Sequence, residues 1–261
     1  MYTIPAANEL YRGYVTHLTR RRNTVNGRLY RDDPAVMTWE LANEPRPGAD
    51  DAYIAVPTFC KWVDDTARFI HARDPNHLVC TGSEGIWGCL KKPELFVKAH
   101  ETPAIDYVTV HMWLKNWGWL KDPRLSDDYE QAAARAREHV EQHTVLATDT
   151  LRKPLVLEEF GLPRDHERYE PEAPATARDD YFRRMFGQVA DSCRAGRALQ
   201  GANFWAWGGE GRAGAGKPDS ANALMGDPFC EPQGLNSVFD TDIGTQAVIA
   251  RANAKLAAIA G

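Results

Sequence analysis

Apolar and polar positions along the 261 residues switch repeatedly between a helical period and short extended runs. Leu10, Tyr14, Val15 and Leu18 share one helical face and predict a helix over 8–22, with Asn8 as its cap. A strand follows over 36–43, and then a helix over 53–72 whose inward face carries Val56, Phe59, Cys60, Val63, Ala67 and Ile70. Residues 77–81 form a short strand. In 104–113, Val108 and Val110 alternate with Thr109 and His111, the period of a strand. A long Ala-rich helix over 127–147 sets Tyr129, Ala132, Ala133, Ala136 and Val140 on one side. A strand over 155–159, a helix over 178–194, a strand over 201–207 and a helix over 245–260 complete the pattern. Five strands alternating with helices predict an α/β fold with a parallel sheet and helices outside it. Nothing marks a linker, so 1–261 is expected to be one domain.

Composition narrows the functions without choosing one. Hydrophobic residues make up 43% and charged residues 26%, ordinary for a globular protein. A net charge of −5 gives no reason to expect nucleic acid or an anionic membrane as partner. No apolar run reaches the ~20 residues of a membrane span. The first five residues lack the basic and apolar regions of a secretory leader. The five cysteines, 60, 80, 89, 193 and 230, have no metal-ligand spacing, and Cys60 and Cys193 fall on apolar helix faces as inert thiols. No metal or cofactor is expected. Eight Trp and nine Tyr offer aromatic faces that suit sugar rings, although Trp also simply fills cores.

Two carboxylates stand out. Glu44 ends the run Trp39-Glu40-Leu41-Ala42-Asn43-Glu44-Pro45, and Glu159 lies in Leu155-Val156-Leu157-Glu158-Glu159-Phe160-Gly161. Each follows an apolar stretch and precedes a Pro or Gly that stops the strand. Glycoside cleavage needs such a pair: one protonated carboxyl for the leaving oxygen and one carboxylate on the other side of the sugar. A parallel barrel gathers strand-end residues from distant parts of a chain. A lone strand-end Glu is more often a cap or an ion-pair partner; Asn43, His111, Trp113 and Trp205, also at strand ends, favour the catalytic reading. Strand alternation puts Glu158 and Glu159 on opposite faces, so Glu158 is expected behind the strand as a structural group. The Gly- and Pro-rich stretch 208–237 is too long for an idle connection; it is a wall of a cleft or a disordered insertion.

These segments resemble the β-mannanases of glycoside hydrolase family 5. The resemblance starts at Arg22-Asn23, Asn26-Gly27, Tyr30 and Asp32-Asp33-Pro34, and runs through Trp39–Pro45 and Ser83-Glu84-Gly85. It continues through Thr109-Val110-His111-Met112-Trp113, Asn116-Trp117-Gly118-Trp119, Leu157–Gly161 and Asn203-Phe204-Trp205-Ala206-Trp207-Gly208-Gly209, in the family's order. It implies a (β/α)8 TIM barrel and a retaining endo-β-1,4-mannanase acting on β-mannan or manno-oligosaccharides. By resemblance, Glu44 is the acid/base, Asn43 binds the sugar 2-hydroxyl and Glu159 is the nucleophile. His111 lines the site and Trp205 lies under the sugar being cleaved. Trp113, where many relatives have Tyr, joins Trp117, Trp119 and Trp205 as candidate stacking platforms, at least one of them core. A secreted or periplasmic location follows from the family alone.

The chain departs from the pattern in carrying counterparts of about the last five barrel strands only. Met1 falls just after the family's third strand, so an Arg and a His that the family places near the two glutamates have no counterpart here. A homodimer covering the open barrel through the region before Trp39 or the strand 203–207 is expected. A non-catalytic glycan-binding protein, an inert partial barrel, a β-glucanase and an exo-β-mannosidase are the rival readings.

Overall fold

A computed structural model of the chain describes residues 2–48, 55–170, 172–212, 225–229 and 231–260. The chain divides into two compact units, 1–110 with 146–155 and 111–145 with 156–261.

In the first unit, α1 spans Pro5–Arg20 and opens on Pro5, whose missing N–H costs nothing in a first turn. Asn8 is therefore not the cap. It lies one turn inside, and its Nδ2 donates to the carbonyls of Ile4 (3.1 Å) and Tyr2 (3.3 Å). The predicted stripe also divides: Val15 is buried, whereas Leu10 is 78% and Tyr14 60% exposed. The buried face instead carries Val15 and Thr19, with Tyr11 half-buried and donating its hydroxyl to the Leu41 carbonyl at 2.6 Å. The strand predicted over 36–43 contracts to β1 (Thr38–Glu40), which pairs in parallel with β2 (Leu78–Cys80), Trp39 opposite Val79. α2 (Val56–His71) packs Phe59, Trp62, Val63, Ala67 and Ile70 against Leu41, Val79 and Ile105; positions 53–54 of its predicted start lie outside the described residues. A short helix that the apolar pattern did not announce, α3 (Pro93–His100), begins on Pro93 and buries Leu95, Phe96 and Ala99.

Buried Asp74 fixes the approach to β1 and β2. Its carboxylate accepts the Trp39 indole N–H (2.6 Å), pairs with His77 Nδ1 (2.7 Å) and accepts the Asn76 backbone N–H (2.9 Å). Burial by itself raises the pKa of Asp74; these bonds outweigh it and hold the carboxyl below its ordinary value.

β3 (Val108–Met112) is buried at all five positions, because both of its faces are covered. The three-stranded sheet has β4 (Leu155–Phe160) between β3 and β5 (Leu199–Ala202). In the second unit, α4 (Asp127–Val145) presents Ala132, Ala133 and Ala136, all buried, so that α5 (Thr176–Arg194) can approach closely. Tyr129 donates to Asp180 (2.8 Å), and Arg184 grips Glu130 with two nitrogens across the same pair of helices. Phe160 of β4 meets Tyr181, Phe182 and Phe186 of α5 edge-on.

The strand predicted over 201–207 breaks. β5 starts earlier, at Leu199, and Trp207 opens a separate strand, β6 (Trp207–Gly209), parallel to β7 (Val238–Phe239). Between them, Asn203 and Trp205 donate single backbone bonds to Leu157 and Phe160, and the Trp205–Ala206 peptide is cis. Of the long stretch 208–237, positions 213–224 and 230, the last holding a cysteine, lie outside the described residues. The part that is described is pinned by buried Asp227, whose carboxylate accepts the backbone N–H groups of Gly234 and Asn236 and the Ser237 hydroxyl. The last helix, α6, spans Ile243–Ala260. Among the described residues no helix is long and apolar enough to cross a membrane.

Candidate active site

In the first unit the extended chain beyond β1 keeps pairing with the segment beyond β2: Leu41 with Cys80, Ala42 with Thr81, and Glu44 with Gly82 at 2.8 Å. The crossing is tight. Gly82 has φ +69°, and a Cβ there would lie 2.2 Å from the Ala42 carbonyl oxygen, so no other residue fits. This approach turns Glu44 into the left-handed region (φ 47°), rare for a residue with a side chain and a mark of positions held by their surroundings. Asn43 beside it is exposed, and Glu44 is partly buried. Arg46 Nη2 lies 3.5 Å from Glu44 Oε2 and forms an ion pair with Glu84, whose side chain is buried under Gly88. A buried carboxylate needs such a partner, and the partner is thereby fixed next to Glu44. The sequence gives the Arg46–Glu84 pair little signal: a Glu between small residues just past an apolar strand, Ser83-Glu84-Gly85, and an Arg two places after Glu44.

In the second unit, His111 near the end of β3 is buried and faces two carboxylates. Its Nδ1 lies 3.2 Å from Glu159 Oε2, and its Nε2 lies 3.3 Å from Glu158 Oε2. Trp113 donates its indole N–H to the same Glu159 Oε2 at 3.2 Å. Glu158 is thus not a group behind the strand. Burial alternates along Leu155, Val156 and Leu157 but stops at the doublet, where both carboxylates are partly buried and both reach the same imidazole. Gly161 makes room for this arrangement: a Cβ there would meet the Trp205 carbonyl at 2.5 Å and the Trp113 ring at 3.0 Å. Trp205 is held on this side by its backbone bond to Phe160 and is half-buried.

Trp117 and Trp119 pack against α4. Their rings meet edge-on at 5.1 Å, both lie against His139 of α4, and Arg135 caps Trp119 at 3.9 Å. Burial pulls the His139 pKa down to about 4, so this cluster is neutral apart from its arginine. Beside it Asn116 donates to Glu231 at 3.0 Å, and burial raises the Glu231 pKa.

Comparison with known proteins places this geometry in a family. A family profile described as GH family 5 beta-mannosidase-like matches residues 1–260. Mannan endo-1,4-beta-mannosidase 3 of Arabidopsis thaliana is 31% identical over 218 residues, which are 78% of this chain and 50% of that protein. Mannan endo-1,4-beta-mannosidase 1 of Oryza sativa subsp. japonica is 30% identical over 217 residues, 78% of this chain and 47% of that protein. The crystal structure of a glycoside hydrolase family 5 mannosidase from Rhizomucor miehei superposes with a TM-score of 0.85 at 33% identity, covering 98% of this chain and 59% of that one. An endo-beta-1,4-mannanase from Thermotoga petrophila gives a TM-score of 0.70 at 25% identity, covering 98% and 51%. The chain therefore spans about half the length of the curated relatives it matches. It is an α/β protein of the (β/α)8 TIM-barrel type, carrying about the last five βα units. Matched along nearly its whole length, the chain belongs to the GH family 5 β-mannosidase-like family.

Proposed function

We propose that the chain is the catalytic part of a retaining glycoside hydrolase that cleaves β-1,4-mannosidic bonds, with both units in one catalytic domain. Glu44 gives its proton to the glycosidic oxygen while a Glu159 oxygen attacks the anomeric carbon and the bond to the leaving sugar breaks. Glu44, now a carboxylate, takes a proton from water; the water oxygen attacks the same carbon and the ester to Glu159 breaks. The observation that carries this reading is the clamp on Glu159, in which Trp113 and His111 both address Oε2 of the carboxylate that resembles the family's nucleophile. Arg46 alone would favour the ionised form of Glu44 and oppose its acid role. Paired with Glu84, it presents Glu44 with a nearly neutral partner instead.

A second reading keeps the chemistry and changes the mode. The Rhizomucor miehei structure named a mannosidase gives a TM-score of 0.85 and the Thermotoga petrophila structure named an endo-beta-1,4-mannanase gives 0.70, so an exo-β-mannosidase is kept as the alternative to endo action. Product size on mannohexaose and cellohexaose separates the readings. Internal fragments from mannohexaose support endo action, and mannose alone supports exo action. Cleavage of cellohexaose in preference points to a glucanase. Glycan binding without any product leaves a non-catalytic binder.

The homodimer is likewise a proposal. Its support is the outer face of α1, where Leu10 and Tyr14, one turn apart, are both exposed. A two-fold interface through this region, before Trp39, is expected to bury on the order of 2,000 Å². Light scattering at micromolar concentration should give twice the mass of one chain, and Leu10→Lys with Tyr14→Lys should return it to a monomer. A monomer from the unmodified protein refutes the dimer.

A further inference from the structure

The helices α5 and α6 of the second unit leave a groove open between them. At its start α6 meets α5 closely: a Cβ on Gly244 would lie 2.7 Å from Asp179 Oδ2, and Thr245 donates its hydroxyl to Asp179 Oδ1. Burial then falls along the helix. Thr245 and Val248 are buried, whereas Ala252 and Leu256, which follow at helical spacing, are only half-buried. The groove has a volume of ≈ 260 Å³ and an apolar floor of Phe186, Val248 and Ala252, with Gly187 as its α5 edge. A Cβ on Gly187 would meet nothing within 4 Å, and the residue lies inside regular helix. Neither packing nor backbone conformation calls for glycine there, and glycine weakens a helix interior relative to alanine. Its effect is to leave the groove wide.

The rim is positive. Arg251 and Lys255 stand one turn apart on α6, both exposed, and among the described residues neither has an anionic partner. No acidic residue occurs anywhere in α6. Arg183 of α5 completes the rim; Asp180 meets its charge at 2.7 Å and also serves Tyr129 and Arg184. The other acids of α5 are engaged elsewhere, Asp179 by Thr245 and Asp191 by Arg194. Like charges one turn apart repel, and these stand in a chain of net charge −5. The helix dipole does not account for them, since no basic residue falls in the last turn of α6, where a cation would offset it. We propose that the groove binds an amphiphile with one hydrocarbon chain and an anionic head, a medium-chain carboxylate. The chain lies on Phe186, Val248 and Ala252 beside Gly187, and the carboxylate meets Arg251 and Lys255. Apolar burial supplies the attraction, and the cations select the sign of the head. The groove is smaller than the ~300–1,000 Å³ of sites that enclose drug-sized ligands, which suits a single chain. Three cations fall short of the ~4–8 of a patch that holds a protein on an anionic bilayer, which favours the free amphiphile over a membrane surface.

The test is calorimetric titration with decanoate below its micelle concentration, with amide NMR to locate the bound chain. Decanoate should bind one to one and shift the amides of Gly187, Val248 and Ala252 most. Acetate lacks the chain and decyltrimethylammonium reverses the head, so each should bind at least ~10-fold more weakly. Gly187→Leu fills the groove from its open side, should keep the circular dichroism of the unmodified protein, and should weaken decanoate binding at least ~10-fold. Arg251→Glu combined with Lys255→Glu should weaken decanoate by a similar factor and make decyltrimethylammonium the better ligand, a preference that added salt reduces. Absence of saturable decanoate binding overturns the proposal, and so does an unchanged affinity in either folded variant. Binding to vesicles of anionic phospholipid without binding to free decanoate also overturns it, in favour of a membrane surface. None of these readouts depends on glycoside cleavage, so the result stands apart from the functional reading.

Discussion

Glu159→Gln should lower mannan turnover by at least ~10^4-fold, the scale on which enzymes lose an essential nucleophile. That is a rise of about 5.4 kcal/mol in the barrier, at 1.36 kcal/mol per tenfold. The amide cannot form the ester intermediate, yet it keeps the shape and two acceptor–donor positions beside His111 and Trp113, so the fold should persist. Glu44→Gln should cost ~10^2–10^4-fold, the range of general acid–base catalysis, and should cost less on an aryl β-mannobioside whose leaving group needs no proton. Azide distinguishes the two roles. With Glu44→Ala it can attack the glycosyl-enzyme from the face that water uses and give a β-azide. With Glu159→Ala it can stand in for the missing carboxylate and give the α-azide. Wild-type turnover in either Gln variant, or the same azide anomer from both Ala variants, defeats the assignment of the two glutamates.

The sequence disclosed what depends on neighbours along the chain and hid what depends on partners far from it. Alternation and turn residues found the strands that became β1 to β5, because each is an apolar run closed by Gly, Pro or a polar turn. The same logic missed α3, which is a single eight-residue helix with only three buried aliphatic or aromatic positions. It located a helix at α1 but reversed part of its surface, because period alone cannot tell a stripe that packs from one that faces outward. The doublet at the end of β4 shows the limit most clearly. Alternation is a rule of pleated backbone between paired neighbours, and at the end of a strand it no longer separates Glu158 from Glu159. What brings both to His111 is a histidine 47 residues away from Glu158. Arg46 and Glu84 were equally invisible as a pair, since neither belongs to a local motif that predicts the other.

The largest expected loss of stability follows from another such long-range group, at the start of α6. Asp242 precedes that helix and accepts a backbone bond from Phe239 at 2.9 Å. Its two carboxylate oxygens also serve two guanidinium groups: Oδ1 pairs with Arg164 and Oδ2 with Arg178 at 2.9 Å. The Arg164 and Arg178 side chains are 2% and 0% exposed. Burial pulls the Arg178 pKa down, and Asp242, with a smaller help from Asp179, resists the change. One carboxylate thus holds two buried cations that join the loop after β4, α5 and α6, with Arg164 also donating to the Ala173 carbonyl and Arg178 to that of Ser237. Removing the carboxylate strands both charges, and breaking a buried pair in this way costs about 3–5 kcal/mol. Asp242→Ala should therefore move the urea unfolding midpoint of the second unit down sharply at pH 7, read by the near-ultraviolet signal of its tryptophans, with little change in slope. Arg164→Leu should be milder, because it leaves one cation facing one anion and replaces a buried charge with apolar volume. If Asp242→Ala unfolds within about 1 kcal/mol of the unmodified protein, or Arg164→Leu is the more damaging change, the carboxylate is not what holds α6 in place.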